Sequence, residues 1–349
     1  MTAHYTSIGW NRHKRVYDGV MVTAVLLFLG VFVGTGMLFA ASAPDPMVLM
    51  IRALGACAMV MLHVVLAIGP LARLDDRFLP LLYNRRHLGV TTFLVALLHG
   101  GLVLLYYHGF SSMNPLVSLI LHSAGTGVPF ELFGVGALVI LFLMAATSHD
   151  YWLVNLWPPI WKILHMLVYV AYLGVVFHVA FGPLQGERPD LGWALLGTGV
   201  VLIAGLHLLA GLREVRRDGA GAIARENREW VDVCDIAEIP EKRARVVCIR
   251  AMERIAVFRY EGKVSAVSNV CAHQNGPLGE GEIIDGCITC PWHGYQYRPE
   301  DGQSPPPYTE RIATYEVRVE GSRVLVRPSA LPPGTKVEPA RFAAGEVPS

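Results

Sequence analysis

The 349-residue sequence predicts an α-helical membrane bundle of six transmembrane helices followed by a C-terminal all-β domain. Two observations lead to this fold class. Only 16% of the residues are charged and 53% are hydrophobic, whereas an ordinary soluble domain has about 25% charged residues. The charges are also shared unequally, because residues 1–212 contain 10 of the 29 Lys and Arg residues and the last 137 residues contain the other 19. This composition excludes an ordinary cytosolic enzyme, and the net charge of +1 provides no basic footprint for nucleic acid.

The six helices are predicted from apolar runs. A hydrocarbon core about 30 Å thick takes roughly 20 apolar residues in helical conformation. Six runs of this kind are bounded by polar or helix-breaking residues, at about 20–41, 53–72, 88–107, 129–148, 160–182 and 191–212. The first run is too long for the h-region of a secretory signal, which has roughly 7–15 residues. We therefore expect it to remain as a membrane helix.

Basic residues near the ends of these runs predict the orientation, because they favour the cytoplasmic side. Only Arg52 and Arg188 fall on one side. The other side has eleven: Arg12, Lys14, Arg15, Arg73, Arg77, Arg85, Arg86, Lys162, Arg213, Arg216 and Arg217. We expect an integral protein of the cell inner membrane with both termini in the cytoplasm.

Domain boundaries follow from the same patterns. Short alternating segments such as Arg245–Ile249 and Arg323–Val326, with Gly-containing turns between them, are typical of a small antiparallel β domain. We predict a cytoplasmic N-terminus at 1–19, the six-helix domain at 20–212, a polar linker at 213–228, the β domain at 229–328 and a flexible tail at 329–349.

Four histidines lie inside the predicted helices: His63, His99, His165 and His178. A polar ring in lipid is costly without a partner and by default marks a functional site. Haem iron accepts axial imidazoles, and helix bundles build such sites from facing helices. His165 and His178 are 13 residues apart, about 20 Å along one helix. This separation suits two stacked haems.

The pairing of these histidines follows from direction and depth. Thirteen steps of about 100° turn His165 and His178 roughly 140° apart, so they should face different partner helices. By their distances from the cytoplasmic helix ends, we pair His99 with His178 for the outer haem and His63 with His165 for the inner one. His87, beside two arginines at the interface, stays open as the alternative inner ligand.

Residues 50–182 resemble a known family. The stretch Tyr83–Gly89 leading to His99, and Ala145–Ser148 leading through Trp161–Tyr169 to His178, are similar to the ferric-reductase-like transmembrane domain. That superfamily includes NADPH oxidases, ferric reductases and the haem subunit of periplasmic methionine-sulfoxide reductases. The resemblance implies b-type haems and electrons that pass outward from the cytoplasm, with the ligands His99, His165 and His178.

The resemblance does not supply the fourth ligand. NADPH oxidases have two ligands about fourteen residues apart on one early helix, whereas the residue fourteen before His99 is Arg85. His63 therefore comes from the spacing argument alone.

The β domain contains two pairs of metal-ligating residues. Cys271 and His273 are separated by sixteen intervening residues from the second pair, Cys290 and His293. In a Rieske [2Fe-2S] cluster two thiolates hold one iron and two imidazoles hold the other, so one Cys and one His are needed from each of two loops. A structural zinc site is the alternative, with Cys287 replacing His293, because Cys287 and Cys290 have zinc-finger spacing.

The segments around these residues also resemble a family. Gly276–Leu278, Cys290–Gly294 and Pro305–Pro307 are similar to Rieske ferredoxins and to the electron-entry domains of ring-hydroxylating dioxygenases, over residues 229–328. Respiratory Rieske proteins carry an extra Cys in each loop, joined as a disulfide, but here the corresponding places are Pro277 or its neighbours and Trp292. The resemblance thus implies a cluster in a reducing cytoplasm, with a potential near the low end, about −150 mV. The remaining cysteines are interpreted as packed thiols: Cys57, Cys234, Cys248 and Cys287.

Two absences in the sequence narrow the function. Residues 329–349 leave no room for the mononuclear iron domain of a dioxygenase, and no Gly-x-Gly-x-x-Gly opens a dinucleotide-binding unit. We therefore expect single electrons to arrive from a cytoplasmic ferredoxin or flavoprotein reductase. They would pass through the cluster and two haems to an outer-face or membrane acceptor, which is a metal, a quinone or a periplasmic protein.

Two other functions stay open. Quinol could be oxidised in the membrane and its electrons delivered inward, with Glu131 serving proton release, although a lone interfacial acid is otherwise solvated. The chain could also be a redox sensor whose cluster domain docks a regulatory partner.

Overall fold

The structure of the protein is a computed structural model, which contains both the helical part and the β domain. The model describes residues 12–39, 45–82, 84–110, 112–125, 128–149, 152, 156, 158–182, 184, 189–219, 229–250, 253–273, 275–292 and 294–342. The α-helices are α1 (Arg12–Phe39), α2 (Pro46–Leu74), α3 (Leu79–Leu82), α4 (Arg85–Val103), α5 (Pro115–Gly125), α6 (Phe130–Thr147), α7 (Pro158–Met166), α8 (Val168–Phe181) and α9 (Pro189–Gly219).

Among the described residues, six helical segments are long and apolar enough to cross a membrane, which confirms the predicted number. They are Lys14–Phe39, Pro46–Leu74, Arg85–His108, Phe130–Thr147, Ile160–Phe181 and Gly192–Arg216. The fifth joins α7 to α8, and the third extends α4 by a π-helical turn, Leu104–His108. Such turns are rare and occur frequently at functional sites.

The helices share an apolar core. Leu62 and Leu66 of α2, Phe93 of α4 and Leu141 of α6 pack there with residues of α8 and α9. Gly174 of α8 lies close to the backbone of α6, since a Cβ at this position would be 3.2 Å from the carbonyl oxygen of Phe133. Small residues of this kind let membrane helices approach closely.

The C-terminal part is an antiparallel β domain, as predicted. Its strands are β1 (Val231–Asp235), β2 (Ala244–Arg250), β3 (Glu253–Tyr260), β4 (Lys263–Ser268), β5 (Glu282–Ile284), β6 (Cys287–Thr289), β7 (Gln296–Tyr297), β8 (Thr314–Tyr315), β9 (Val317–Glu320), β10 (Arg323–Val326) and β11 (Ala340–Arg341). They form three sheets, ordered β1-β10-β9, β11-β4-β3-β2 with β8 also on β4, and β5-β6-β7.

The described residues of the β domain form two apolar cores. One lies among β1 to β4 and β8 to β10 and contains Ile255 and Val257. The other contains Phe258, Leu278 and Tyr297 together with Cys271 and Cys290. Successive side chains of a strand point to opposite faces, so Val257 and Phe258 of β3 enter different cores. The predicted cluster cysteines thus belong to a packed core.

Two predicted boundaries differ from the structure. Helix α9 continues to Gly219, beyond the run that ends at 212. The segment predicted as a flexible tail contributes β11, whose Ala340 and Arg341 pair with β4, while the guanidinium of Arg259 lies 5.5 Å from the ring centroid of Phe342. This aromatic contact and the ladder hydrogen bonds hold a segment whose composition alone suggests disorder.

The described chain forms two compact units. One contains the described residues of 10–70 and 84–207. The other contains those of 71–83 and 208–349, so the β domain shares a unit with the C-terminal ends of α2 and α9.

Candidate electron-transfer centres

Two loops of the β domain position the predicted cluster cysteines in the same way. The carbonyl of Cys271 accepts a hydrogen bond from the backbone N–H of Asn275 (2.8 Å), and that of Cys290 accepts one from Gly294 (2.9 Å). Asn275 has φ 59° and Gly294 has φ 70°, so each loop turns through the left-handed region at the fourth residue after its cysteine. Both loops are therefore tight turns that begin at a thiol.

The two thiols are buried and approached closely by backbone. Cys271 and Cys290 are each 1% exposed. A Cβ added at Gly276, in the first loop, would lie 2.7 Å from the Sγ of Cys290. The absence of a side chain at this position keeps space beside that sulfur. Two buried thiols from two loops, one of them with space beside its sulfur, fit the donor set of a [2Fe-2S] cluster.

Tyrosines complete the surroundings of the first loop. The hydroxyl of Tyr297 lies 3.3 Å from the Sγ of Cys271. Burial raises the pKa of Tyr297, and the neighbouring Cys271 raises it further, so the phenol stays protonated and can donate to a thiolate. The ring of His273 stacks on Tyr295, with centroids 4.6 Å apart and an interplanar angle of 8°. The structure thus reveals two tyrosines that sequence reasoning missed.

The fourth predicted cluster ligand and the cysteines outside the two loops remain to be placed. His293 lies outside the described residues. The described part of the chain contains no group of three or more His, Cys, Asp or Glu side chains that could hold one metal ion, which applies both to the zinc alternative and to the three described cluster residues. Burial raises the pKa of the Cys287 thiol and raises that of Cys234 to about 11, which is typical of inert packed thiols.

In the helical unit the structure brings His99 and His178 together. Their ring centroids are 6.2 Å apart with an interplanar angle of 75°. Nδ1 of His99 donates to the carbonyl of Ile51 (2.9 Å) and Nδ1 of His178 donates to that of Phe130 (3.0 Å). Each ring therefore keeps Nε2 for a ligand, the arrangement that metal-binding histidines adopt.

The spacing of this pair fits a bis-imidazole haem. A metal–imidazole bond of about 2 Å puts the centroids of two opposed rings about 6 Å apart. Glycines make room for both rings, because a Cβ would lie 3.0 Å from the His99 ring at Gly55 and 2.8 Å from His178 Nδ1 at Gly134. These two glycines have no sequence signal that separates them from the others in the helices.

The structure does not bring His63 to His165. Among the ring contacts of the described residues, His63 meets Tyr172, whose hydroxyl is 3.1 Å from His63 Nε2. His165 stacks on Trp161 with centroids 3.8 Å apart, and its Nε2 is 3.3 Å from the Oγ of Ser148. To bind iron through Nε2, His63 must give up its contact with the hydroxyl of Tyr172.

The alternative inner ligand has a carboxylate partner. Nδ1 of His87 lies 2.7 Å from Oδ1 of Asp18. A carboxylate that holds one ring nitrogen leaves the other for a metal. The pairing of the second haem stays a prediction, with His63 and His87 as candidates.

Glu131 is not the lone acid that the sequence suggested. Its side chain is 12% exposed, and both carboxylate oxygens lie 3.2 Å from Nδ1 of His122. Nε2 of the buried His108 is 4.0 Å from the same carboxylate. His108 ends the π-helical turn and His122 lies on α5. Hydropathy predicts neither the π-helical turn nor α5.

Comparison with known proteins identifies both parts of the chain. Residues 229–316 match the model of the Rieske [2Fe-2S] domain, and residues 52–176 match that of the ferric reductase like transmembrane component. Both sequence-based resemblances are confirmed, and the segment that contains Cys271 and Cys290 lies within the first match.

Individual relatives match the β domain. The ferredoxin component of the alkene monooxygenase system of Xanthobacter autotrophicus is 31% identical, covering 30% of this chain and 85% of that protein. The ferredoxin component of the naphthalene 1,2-dioxygenase system of Pseudomonas aeruginosa is 31% identical, covering 28% of this chain and 94% of that protein. A chain in the solved complex of reduced oxygenase and oxidized ferredoxin in carbazole 1,9a-dioxygenase is 26% identical, with a TM-score of 0.28, covering 30% of this chain and 98% of that one.

Proposed function

Because the chain belongs to the Rieske [2Fe-2S] family through its C-terminal domain and contains a ferric reductase-like transmembrane component, we propose that it carries electrons outward across the cell inner membrane. The electrons enter from a cytoplasmic ferredoxin or flavoprotein and leave to an acceptor at the outer face. The observation that supports this proposal is that one chain contains two sets of side chains suited to hold electron carriers, the buried cysteines of the β domain and the neighbouring rings of His99 and His178.

The chain's own residues prepare each site for one-electron chemistry. When bound, the cluster and the b-type haems each take up and release one electron without making or breaking bonds. Cys271, His273, Cys290 and His293 hold the cluster, and the Tyr297 phenol donates to the sulfur of Cys271. Such hydrogen bonds to sulfur tune the potential of the centre. His99 and His178 hold the outer haem, and the carbonyls of Ile51 and Phe130 orient their rings.

The proposed second haem is bound by His165. Its Nδ1 donates to the carbonyl of Trp161 (3.0 Å), which fixes the ring tautomer, and its Nε2 must give up the contact with the Oγ of Ser148 (3.3 Å) to bind iron. His63 is its proposed partner and has the same pattern, with Nδ1 donating to the carbonyl of Met59 (2.8 Å). Two carriers at different depths shorten each electron-transfer step across a core about 30 Å thick.

The direction rests on the charge asymmetry and on the absence of a hydride-accepting motif in the sequence. A redox titration of the purified protein, with haem absorption and cluster EPR followed together, tests it. We expect the cluster to have a lower potential than the haems, so that electrons run downhill from the β domain. A cluster potential above both haem potentials would contradict the outward direction.

Inward transfer from quinol is the second candidate, and one observation favours it. Glu131 follows Phe130, whose carbonyl accepts from His178, and its carboxylate pairs with His122. A carboxylate and an imidazole beside an outer haem site would accept the protons that quinol releases on oxidation. Reduction of the haems by quinol before the cluster, in the same titrated protein, would support this candidate over outward transfer.

A further inference from the structure

Two ion pairs join the β domain to the ends of two helices within one compact unit. Oε1 of Glu280 lies 3.5 Å from Nε of Arg73, near the C-terminal end of α2. Oε2 of Glu214, on α9, lies 2.8 Å from Nη1 of Arg254 at the start of β3. The acid belongs to the β domain in the first pair and to the helix in the second. We call these four residues the clasp.

Because the two ion pairs have opposite polarity, they favour one orientation of the β domain on the ends of α2 and α9. Turning the β domain so that the pairs exchanged partners would set Arg73 against Arg254 and Glu214 against Glu280, and like charges repel. Burial raises the pKa of the Glu280 carboxyl, and Arg73 opposes that rise. Glu214 and Arg254 act on the same carboxyl with opposite signs, so the four charges form one network.

The helix side of the clasp is itself held together. Arg213, next to Glu214, donates a hydrogen bond from its guanidinium to the carbonyl of Leu74. Leu74 is the last residue of α2, and Arg73 precedes it. The two helix ends therefore present Arg73 and Glu214 as a pair.

On the β-domain side, Asn269 connects the clasp to the first cysteine loop. Its backbone N–H donates to the carbonyl of Arg254 (3.0 Å), and its side-chain oxygen accepts from the N–H of Gly279 (2.7 Å). Gly279 precedes Glu280, so this one buried residue connects both ion pairs, through its backbone to Arg254 and through its side chain to the residue before Glu280. Cys271 follows only two residues later and closes its loop on the carbonyl of Gly276 (2.9 Å).

We infer that the clasp is an internal docking interface, which seats the first cysteine loop on the ends of α2 and α9 and controls electron transfer from the β domain to the helical domain. The control of transfer rests on the proposed function, whereas the docking does not. In each transfer event one electron leaves the reduced cluster, which is oxidised, and enters a haem, which is reduced. Partly exposed ion pairs are weak and are screened by salt, so the interface opens reversibly and more often at high ionic strength.

Charge reversal and charge exchange test the control of transfer. Arg73→Glu and Glu280→Arg are each expected to slow transfer from cluster to haem about tenfold. The double variant Arg73→Glu with Glu280→Arg should return to within about twofold of the original rate. Transfer is started by flash photoreduction with tris(bipyridine)ruthenium and followed by haem absorption, at low ionic strength. Cluster EPR and haem spectra must be unchanged in every variant compared.

A matched control uses a charge pair outside the clasp. On β9, Nε of Arg318 lies 3.0 Å from Oε1 of Glu320. Arg318→Glu should leave the rate of transfer from cluster to haem unchanged. Equal rates in the parent, the single reversals and the exchange would overturn the control of electron transfer by the clasp.

Cross-linking tests the docking by itself. With Arg73→Cys and Glu280→Cys in one chain, a short bismaleimide should bridge the two positions in membranes, and adding Arg254→Glu should lower the yield more than fivefold. A cross-linking yield that is unchanged by Arg254→Glu, or the absence of any cross-link, would overturn the docking. If the bridge forms as expected but no electron passes from cluster to haem in the parent chain, the docking stands and the proposed function fails.

Discussion

The phenolic oxygen of Tyr297 lies 3.3 Å from the Sγ of Cys271, inside the core that also contains Cys290. Because burial keeps the phenol protonated, the hydrogen bond runs from Tyr297 to the sulfur. A donor to sulfur favours the reduced cluster, which carries one more negative charge. This contact is therefore expected to raise the potential of the centre.

Replacing Tyr297 by Phe removes the donor and keeps the ring. A hydrogen bond to a charged group contributes about 1.5 kcal/mol, so the cluster potential should fall by about 60 mV. EPR-monitored redox titration measures the change. Tyr315→Phe is the control, because Tyr315 donates to Glu253 in the other core of the β domain. An unchanged potential in Tyr297→Phe would mean that the phenol does not donate to the cluster sulfur.

Gly276→Ala tests the space beside the second thiol. The added Cβ would lie 2.7 Å from the Sγ of Cys290, so we expect loss of most of the iron and of the Rieske EPR signal. Gly321→Ala is the control for folding, since that position has open space and only backbone strain at φ 56°, which costs about 1 kcal/mol. Iron content and circular dichroism together distinguish a lost cluster from a lost fold.

His99 and His178 are predicted to act as one site. Either single change to Ala should remove the same haem, about half of the total, because one imidazole alone does not retain a b-type haem through purification. The double variant should lose no more than either single one. His207→Ala is a suitable control, since His207 contacts Tyr169 at 3.1 Å and has no predicted ligand role. Additive losses measured by pyridine haemochrome assay would argue against a shared haem.

The second haem distinguishes His63 from His87. We expect His165→Ala and His63→Ala to remove the haem that survives in His99→Ala, and His87→Ala to leave both. Absorption spectra of the purified variants measure this. A full haem complement in His63→Ala would identify the ring as a partner of Tyr172 alone, and the ligand would then be His87.

The orientation of the chain is tested with fusions. Eleven basic residues against two predict that the C-terminus lies in the cytoplasm. A fluorescent protein fused at residue 349 should fluoresce, whereas alkaline phosphatase fused at the same place should be inactive. The reverse result would also reverse the proposed direction of electron transfer.

Local pattern was sufficient for the fold class and for most candidate ligands. Runs of about 20 apolar residues and the spacing of Cys271, His273, Cys290 and His293 are properties of short segments, so the sequence alone predicted six membrane helices and a cluster domain. It also predicted which histidines lie in the membrane, because a polar side chain in an apolar run stands out without knowledge of its neighbours.

Direction and depth along the helices already paired His99 with His178 in the sequence, and the structure adds their 6.2 Å separation. Only the tertiary structure decided the contact of His63 with Tyr172 and the pairing of Glu131 with His122, each of which joins different helices. Tyr297 and Gly276 likewise gain their roles from sulfurs elsewhere in the chain. Hydropathy and motif spacing report on residues close in sequence, whereas packing between helices and between loops sets these long-range contacts.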